Sequence, residues 1–338
     1  MIFLQIGIPK ETKENEYRVA LVPKDVEKLV ERGHEVFVEQ NVGGAAGFPN
    51  HAYEAIGAQI TPNAWQSPLV VKVKALASDP LQENQVFMAY LHVEKGQSPD
   101  LLKKLLEKKV TGYAFEEICD KTGNRMVNLG FEAGIVGMYE GLRTFGRHQQ
   151  ENPFQSLPPI KEIDQAKAFK FLSKLELKET VYIAIMGAGN VSRGCQEVLS
   201  KTGIKPQILI EEHTPHIEQY LPDLDILVNA VAWFPGQSHL VTKKMLEIMK
   251  KNALIVDISC DQNGAIESCI PTNWNNPTYR TKGILHSCID NLPTAIPKES
   301  STHLSAMISP FVLQVANGKN LETGLMTQNG QIKFEKKR

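Results

Sequence analysis

The stretch VYIAIMGAGNVSRGCQEVL, beginning at Val181, constrains this chain more than any other. Its unbroken apolar opening suits a strand buried on both faces, and the residues after GAGN carry a helical spacing of apolar positions. A strand, a glycine turn and a helix in direct succession form the unit from which parallel sheets are wound. Gly187 suits the tight turn, and Gly189 lets a ligand approach the backbone. Asn190 and Val191 then offer amides at the positive end of the helix dipole. That combination is a cradle for the pyrophosphate of a dinucleotide. A third glycine is expected where Ser192 stands; serine is small, so the fingerprint is weakened without being abolished. The next strand, QILIEE, ends in Glu211 and Glu212. A carboxylate there accepts hydrogen bonds from ribose hydroxyls and repels a 2′-phosphate, which favours NAD over NADP. Strand register alone does not choose between the two glutamates. Val231, the last residue of DILVNAV, completes the cofactor positions.

The cradle lies in the middle of the chain. At 338 residues the sequence is too long for one typical core, so two domains are expected. The residues ahead of the cradle also alternate between strand and helix. FLQIGIP, HEVFVEQ, LVVKVKAL and QVFMAYLHV read as strands, PKDVEKLVERG and SPDLLKKLLEKKV as amphipathic helices. NLGFEAGIVGMYEGLRTFG carries small residues at helical spacing, fit for a long helix packed closely on another element. HQQENPFQSLPP reads as a surface connection, TKKMLEIMK as part of the second strand–helix series, and the charged tail QIKFEKKR as frayed. The expected architecture is α/β, with two doubly wound Rossmann-like domains and a cleft between them. A substrate domain takes residues 1–138 and is completed by 293–338; an NAD-binding domain takes 139–292.

Composition narrows the function. With 42% hydrophobic and 22% charged residues and a formal net charge of −1, nothing in the bulk favours nucleic acid or an anionic membrane. MIFLQIGIPKETK turns charged too early for a secretory leader, and no apolar run is long enough to cross a bilayer. Five scattered cysteines without a CxxC pair suit reduced thiols in a cytoplasmic setting, and no metal site is expected.

Three cations ahead of the cradle attract attention. Arg18 follows the charged run KETKENEY and directly precedes VALVP. Lys74 lies on VVKVKAL, where alternation puts Lys72 and Lys74 on one face. His92 ends FMAYLH, at the carboxyl edge where doubly wound sheets bind ligands. On the residues alone, a solvated arginine and a merely hydrogen-bonded histidine are ordinary outcomes.

In order along the chain, GIPKETKENEYRVALVP, GHEVFVEQNVGGAAGF, VKVKAL, YLHV, NAVAWFPG, ALIVDISCDQNGAIES and HSCIDNLPTAIPKESS resemble the alanine dehydrogenase and transhydrogenase N-terminal family. The PMSEVAGR-like and GGVPGV-like segments of alanine dehydrogenases are missing. EEICDKTGNRMVNLGFEAGIVGMYEGL instead resembles saccharopine dehydrogenases (lysine-forming) and lysine-ketoglutarate reductase domains. GAGNVSRGCQ and ALIVDISCDQNGAIES are similar to N5-(carboxyethyl)ornithine synthase. The resemblance implies an acid–base pair in Lys74 and His92 and a carboxylate-binding Arg18. It further implies a second substrate arginine in Arg125, an acidic neighbour in Glu116, and a nicotinamide site lined by Asp261 and Asn291. It also implies that the segment after NLP returns to the first domain as a helix. Where the family has an acid after the lysine, this chain has Ala75, which should favour a neutral Lys74.

The implied reaction joins an amino acid to a 2-oxo acid through a secondary amine at the expense of NADH. In reverse, hydride loss gives an imine that water opens through a carbinolamine. Each later step moves a proton, which His92 and a Lys74 depressed by Arg18, Lys72 or burial would handle. Two alternatives stay open: an alanine dehydrogenase aminating pyruvate with ammonia, and a catalytically silent nucleotide sensor. Amino acid and 2-oxo acid are the expected partners, with neither nucleic acid nor membrane. Assembly into homo-oligomers is left open.

Overall fold

A computed structural model describes residues 4–94, 96, 98–149, 152–177, 179–234 and 236–334. The chain divides into two compact units, Met1–Leu129 with Pro297–Arg338, and Gly130–Ile296.

In the first unit six parallel strands run β1 (Gln5–Ile8), β2 (Glu35–Val38), β3 (Gln59–Ile60), β4 (Leu69–Lys74), β5 (Val86–Tyr90) and β6 (Thr111–Ala114). Their order in the sheet is β3-β2-β1-β4-β5-β6, extended past β6 by an antiparallel hairpin, Leu325–Gln328 with Gln331–Ile332. This is the doubly wound order, and its direction reverses between β1 and β4. The hairpin corrects the expectation of a frayed tail through Ile332; residues 335–338 lie outside the described residues. Helix α1 (Pro23–Glu31) opens on Pro23, which fits a first helical turn, and the chain leaves it through Gly33 at φ 89°. α2 (Asn50–Glu54) and α3 (Pro99–Glu107) follow.

The C-terminal helix Pro297–Ala316 belongs to this unit and buries a row of serines with its leucine and isoleucine positions. Ser301 Oγ accepts from the Val19 amide at 3.0 Å. Ser305 Oγ accepts from the Val22 amide at 3.0 Å and donates to Asp25 Oδ2 at 2.6 Å. Hydroxyls thereby satisfy backbone donors that the strand ladder does not reach, and they fix the segment that follows Arg18.

The second unit carries β7 (Ile183–Met186), β8 (Gln207–Leu209), β9 (Ile226–Asn229), β10 (Leu254–Asp257), β11 (Thr278–Thr281) and β12 (Ile284–Ser287). They lie in the order β11-β12-β10-β9-β7-β8, parallel except for β11. Its helices are α4 (Gly130–Arg147), α5 (Gln165–Leu172) and α6 (Asn190–Ser200). TKKMLEIMK, expected within the strand–helix series, forms only a single 3-10 turn, Met245–Ile248. The expected surface connection at 148–159 anchors itself with fully buried Phe154. Among the described residues no helix is long and apolar enough to cross a membrane.

The boundary between units falls at 129/130 and 296/297, where the sequence suggested 138/139 and 292/293. Helix α4 explains the first shift. A Cβ on its Gly134 would stand 2.1 Å from Val191 O in α6, and one on Gly194 of α6 would stand 2.1 Å from Phe131 O. The two backbones touch through paired glycines, so α4 cannot be divided between domains. Gly134→Ala or Gly194→Ala should therefore destabilise the protein by about 3 kcal/mol in urea unfolding, since the backbones must part. A neutral or stabilising result, as for an exposed helical glycine, would refute this packing.

Candidate active site

In the first unit, the carboxyl ends of β1, β4, β5 and β6 carry the groups of interest, and β1 and β4 flank the switch point. β4 meets β5 in register through Val71↔Met88 and resumes at Lys74↔Tyr90, so one residue is extra on β4. This bulge releases two amides from the ladder. Glu11, just past β1, takes both: Oε1 accepts from Val73 N at 2.6 Å and Oε2 from Lys74 N at 3.2 Å.

The bulge also corrects the expectation that Lys72 and Lys74 share one face. Lys72 is fully buried over the Trp65 ring, which packs on the cluster of Val70 and Phe87. It bonds Asp79 Oδ1 at 2.6 Å and Thr12 Oγ1 at 3.1 Å. Lys74 Nζ instead reaches over Tyr90, a member of the opposite cluster, 5.0 Å from its centroid, and meets His92 Nε2 at 3.0 Å. Nor do Lys72 and Arg18 act as naked charges on Lys74. Lys72 is neutralised by Asp79, and Arg18 is paired with Glu16 by Nε at 2.6 Å and Nη2 at 2.5 Å.

His92 sits in the left-handed region at φ 51°, a costly conformation for a residue with a Cβ. Its amide donates to Glu116 Oε1 at 2.6 Å, and its Nδ1 lies 3.6 Å from the same oxygen. Its ring stacks on Tyr90 at 13° with centroids 6.0 Å apart, and Phe115 meets Tyr90 edge-on. Glu116, His92 and Lys74 thus form a continuous chain from a buried carboxyl to an ammonium. Burial raises Glu116 above the ordinary carboxylate range, against the pull of backbone amides and Lys74. Burial pushes Glu11 up to about 8; Lys72 opposes this and Glu16 reinforces it. Burial works against the charge of Arg18, but Glu16 outweighs it and holds the guanidinium above its usual value.

Arg125 lies on the turn after Glu116, bridged to Cys119, with its half-exposed guanidinium 3.7 Å from Glu117. Ala75 packs on the cluster of Val70 and Leu91, and the acids supporting Lys74 come from Glu11 and Glu116 rather than from the next residue. Glu11 and Tyr90 are not among the residues the sequence singled out. Glu11 was hidden in a charged run, although its place just past a strand end was a usable signal. Tyr90 was hidden because aromatic strand residues are usually core.

In the second unit the cofactor positions gather at the carboxyl ends of β7, β8, β9, β10 and β12. Gly187 adopts φ 102°, and a Cβ there would lie 2.9 Å from Ala230 O and 3.0 Å from Val231 Cγ1. Gly189 caps α6 without a side-chain cap, and no atom lies within 4 Å of where its Cβ would be. Ser192 is buried and accepts from Gln196 Nε2 at 3.2 Å, while the close helix packing falls to Gly194. Asn190 opens the helix and accepts from Arg193 at 3.4 Å; Val191 packs towards the core. Glu211 and Glu212 are both exposed in the turn after β8. Asp261 lies in the loop after β10, and Asn291, at φ 57°, in the loop after β12. An open turn, an uncapped helix start and acids in the turn after the neighbouring strand fit a dinucleotide.

The family model described as "Alanine dehydrogenase/PNT, N-terminal domain" matches residues 7–136, and its C-terminal counterpart matches 163–334. Alanine dehydrogenase of Bacillus subtilis (strain 168) is 29% identical, covering 98% of this chain and 93% of its own length. That of Methanococcus maripaludis is 28% identical, covering 98% and 94%. A solved L-alanine dehydrogenase superposes with a TM-score of 0.80 at 26% identity over 97% of this chain and 96% of that one. The transhydrogenase of Sinorhizobium meliloti, at 18% identity, shares the fold with a TM-score of 0.71 over 97% and 98%. Their names lend no support to the expected kinship with saccharopine dehydrogenase and N5-(carboxyethyl)ornithine synthase. With the two family models matching both units of the chain, this protein belongs to the alanine dehydrogenase/PNT family.

Proposed function

We propose that this protein is an NAD-dependent amino-acid dehydrogenase that aminates a 2-oxo acid with ammonia. The observation that carries the reading is the Glu116–His92–Lys74 chain at the carboxyl edge of the first sheet, seen together with the alanine dehydrogenase relatives. It replaces the secondary-amine reaction as the leading reading, because the relatives above bear the simpler activity in their names.

The roles follow from the residue types. Arg18 offers a planar guanidinium to the substrate carboxylate, in exchange for or beside Glu16. Lys74 hydrogen-bonds the carbonyl oxygen and supplies the proton that lets it leave as water when ammonia has added. His92 passes protons to and from Lys74, and Glu116 holds the imidazole through its amide and Nδ1 side. Tyr90 keeps the ring and the ammonium in place by stacking and by a cation–π contact. Gly187, Gly189, Asn190 and Val191 would hold the dinucleotide, with Glu211 or Glu212 at its ribose, and as NADH it would supply the hydride for amination. Val231, Asp261 and Asn291 shape the nicotinamide end of that site.

A secondary-amine product remains the second reading. It rests on the half-exposed guanidinium of Arg125, suited to the extra carboxylate of an amino-acid partner. Following NADH oxidation with pyruvate or 2-oxoglutarate separates the two. Turnover with ammonia alone supports the first reading; turnover that needs lysine or ornithine supports the second. No turnover with any pair would contradict both and leave a nucleotide sensor.

Lys74→Met and His92→Gln should each lower kcat by about 10²-fold or more, with NADH affinity by fluorescence titration nearly unchanged. Equal losses in cofactor binding would overturn the role given to the pair. For Glu11, a folded-state value of about 8 against an ordinary 4.5 means the folded chain holds a proton that the unfolded chain releases within that window. Its burial therefore costs increasing stability as pH rises from 4.5 to about 8. Glu11→Gln, which cannot ionise, should gain in Tm relative to wild type across that rise. A Tm difference that stays flat with pH would contradict the assignment.

A further inference from the structure

Two of the chain's five cysteines, Cys269 and Cys288, converge on the carboxyl group of Asp257 in the second unit, and a third, Cys260, lies against the Cys288 carbonyl. Asp257 is the last residue of β10, Cys260 follows in a left-handed turn at φ 57°, Cys269 lies in the ensuing loop, and Cys288 directly follows β12. We propose that Asp257, Cys269 and Cys288, joined by Cys260, bind a soft divalent cation of the zinc class.

Ligand atoms of Asp257, Cys269 and Cys288 all lie within 4.8 Å of one another, and all three residues are buried. Around tetrahedral zinc, sulfur ligands at about 2.3 Å and carboxylate oxygens at about 2.0–2.2 Å stand somewhat closer together than this, so the side chains need only contract around the ion. The Cys269 and Cys288 thiols face one another across the Asp257 carboxyl group. Cys260 Sγ now donates to Cys288 O at 2.8 Å, and a change of rotamer would bring it in as the fourth ligand.

The carboxylate points to a ligand. Oδ1 of Asp257 accepts from Asn229 Nδ2 at 2.8 Å and from the Cys260 amide at 2.9 Å. Oδ2 is buried and accepts no well-formed hydrogen bond among the described residues; the Cys269 thiol stands beside it. A buried carboxyl oxygen whose one neighbouring donor is a weak thiol is poorly satisfied, and a cation would satisfy it better. Thiols serving merely as small core residues would not need to face an acid. Cys195, by contrast, packs against the Gly134 carbonyl. Asn229 on Asp257, and Tyr279 Oη at 3.5 Å from Cys288 Sγ, supply the outer contacts that orient ligands.

Binding expels the thiol protons of the coordinating cysteines to solvent and changes no oxidation state. The ion would tie the ends of β10 and β12 to the loop that carries Asp261. The test uses the reduced, full-length protein titrated with cobalt(II). The expected result is a thiolate-to-cobalt charge-transfer band with strong tetrahedral visible absorption, saturating at about one ion per chain and abolished by zinc. Zinc should raise the Tm of wild type and of Cys119→Ser, but not of Cys269→Ser or Cys288→Ala. A wild type whose reduced thiols give no cobalt band would overturn the proposal, whether or not the variants fold. So would a disulfide joining Cys269 to Cys260 or Cys288 in protein alkylated at lysis.

Discussion

A carboxyl group gripping two amides that a strand has let go governs the first unit. A one-residue bulge in a parallel strand frees N–H groups beside its neighbour, and inside a protein they must find acceptors. Glu11 provides them, from the end of the adjacent strand across the switch point. The slip rotates Lys74 out of the alternation that leaves Lys72 buried against Trp65, and sets its ammonium over Tyr90 and against His92. Without the bulge, Lys74 would follow Lys72 towards the Val70 side of the sheet.

Charge compensation is the second theme. Around the Lys74–His92 pair, Arg18 is matched by Glu16 and Lys72 by Asp79. Buried charges matched this way keep fixed positions, because breaking any pair strands a charge in low dielectric. On the proposed reading, a substrate carboxylate at Arg18 would compete with Glu16 in a site already organised, so that binding would reshuffle partners rather than assemble them.

Much of this was legible in the residues. The doubly wound order followed from strand–helix alternation, the dinucleotide turn from GAGN after an apolar strand, and the long glycine-rich helix from its small residues. Lys74, His92 and Glu116 were brought together as the family resemblance implied. What the sequence hid has physical causes. β6, TGYA, is short and interrupted by Gly112, whose missing Cβ makes room for Thr327. The bulge in β4 leaves VVKVKAL looking like simple alternation, so Lys72 and Lys74 seemed equivalent. Glu11 sat in KETKENEY, a run that reads as a solvated face. The convergence of Asp257, Cys269 and Cys288 depends on long-range strand pairing that spacing along the chain does not reveal.

A proton moving between Lys74 and His92 as the substrate's oxygen leaves is the central step of the proposed reaction. The pH dependence of kcat/KM, taken in wild type and in the residual activity of His92→Gln, probes that movement most directly. A wild-type bell that loses one limb in the variant is the predicted outcome. A bell of unchanged shape and width after the histidine is removed would contradict it.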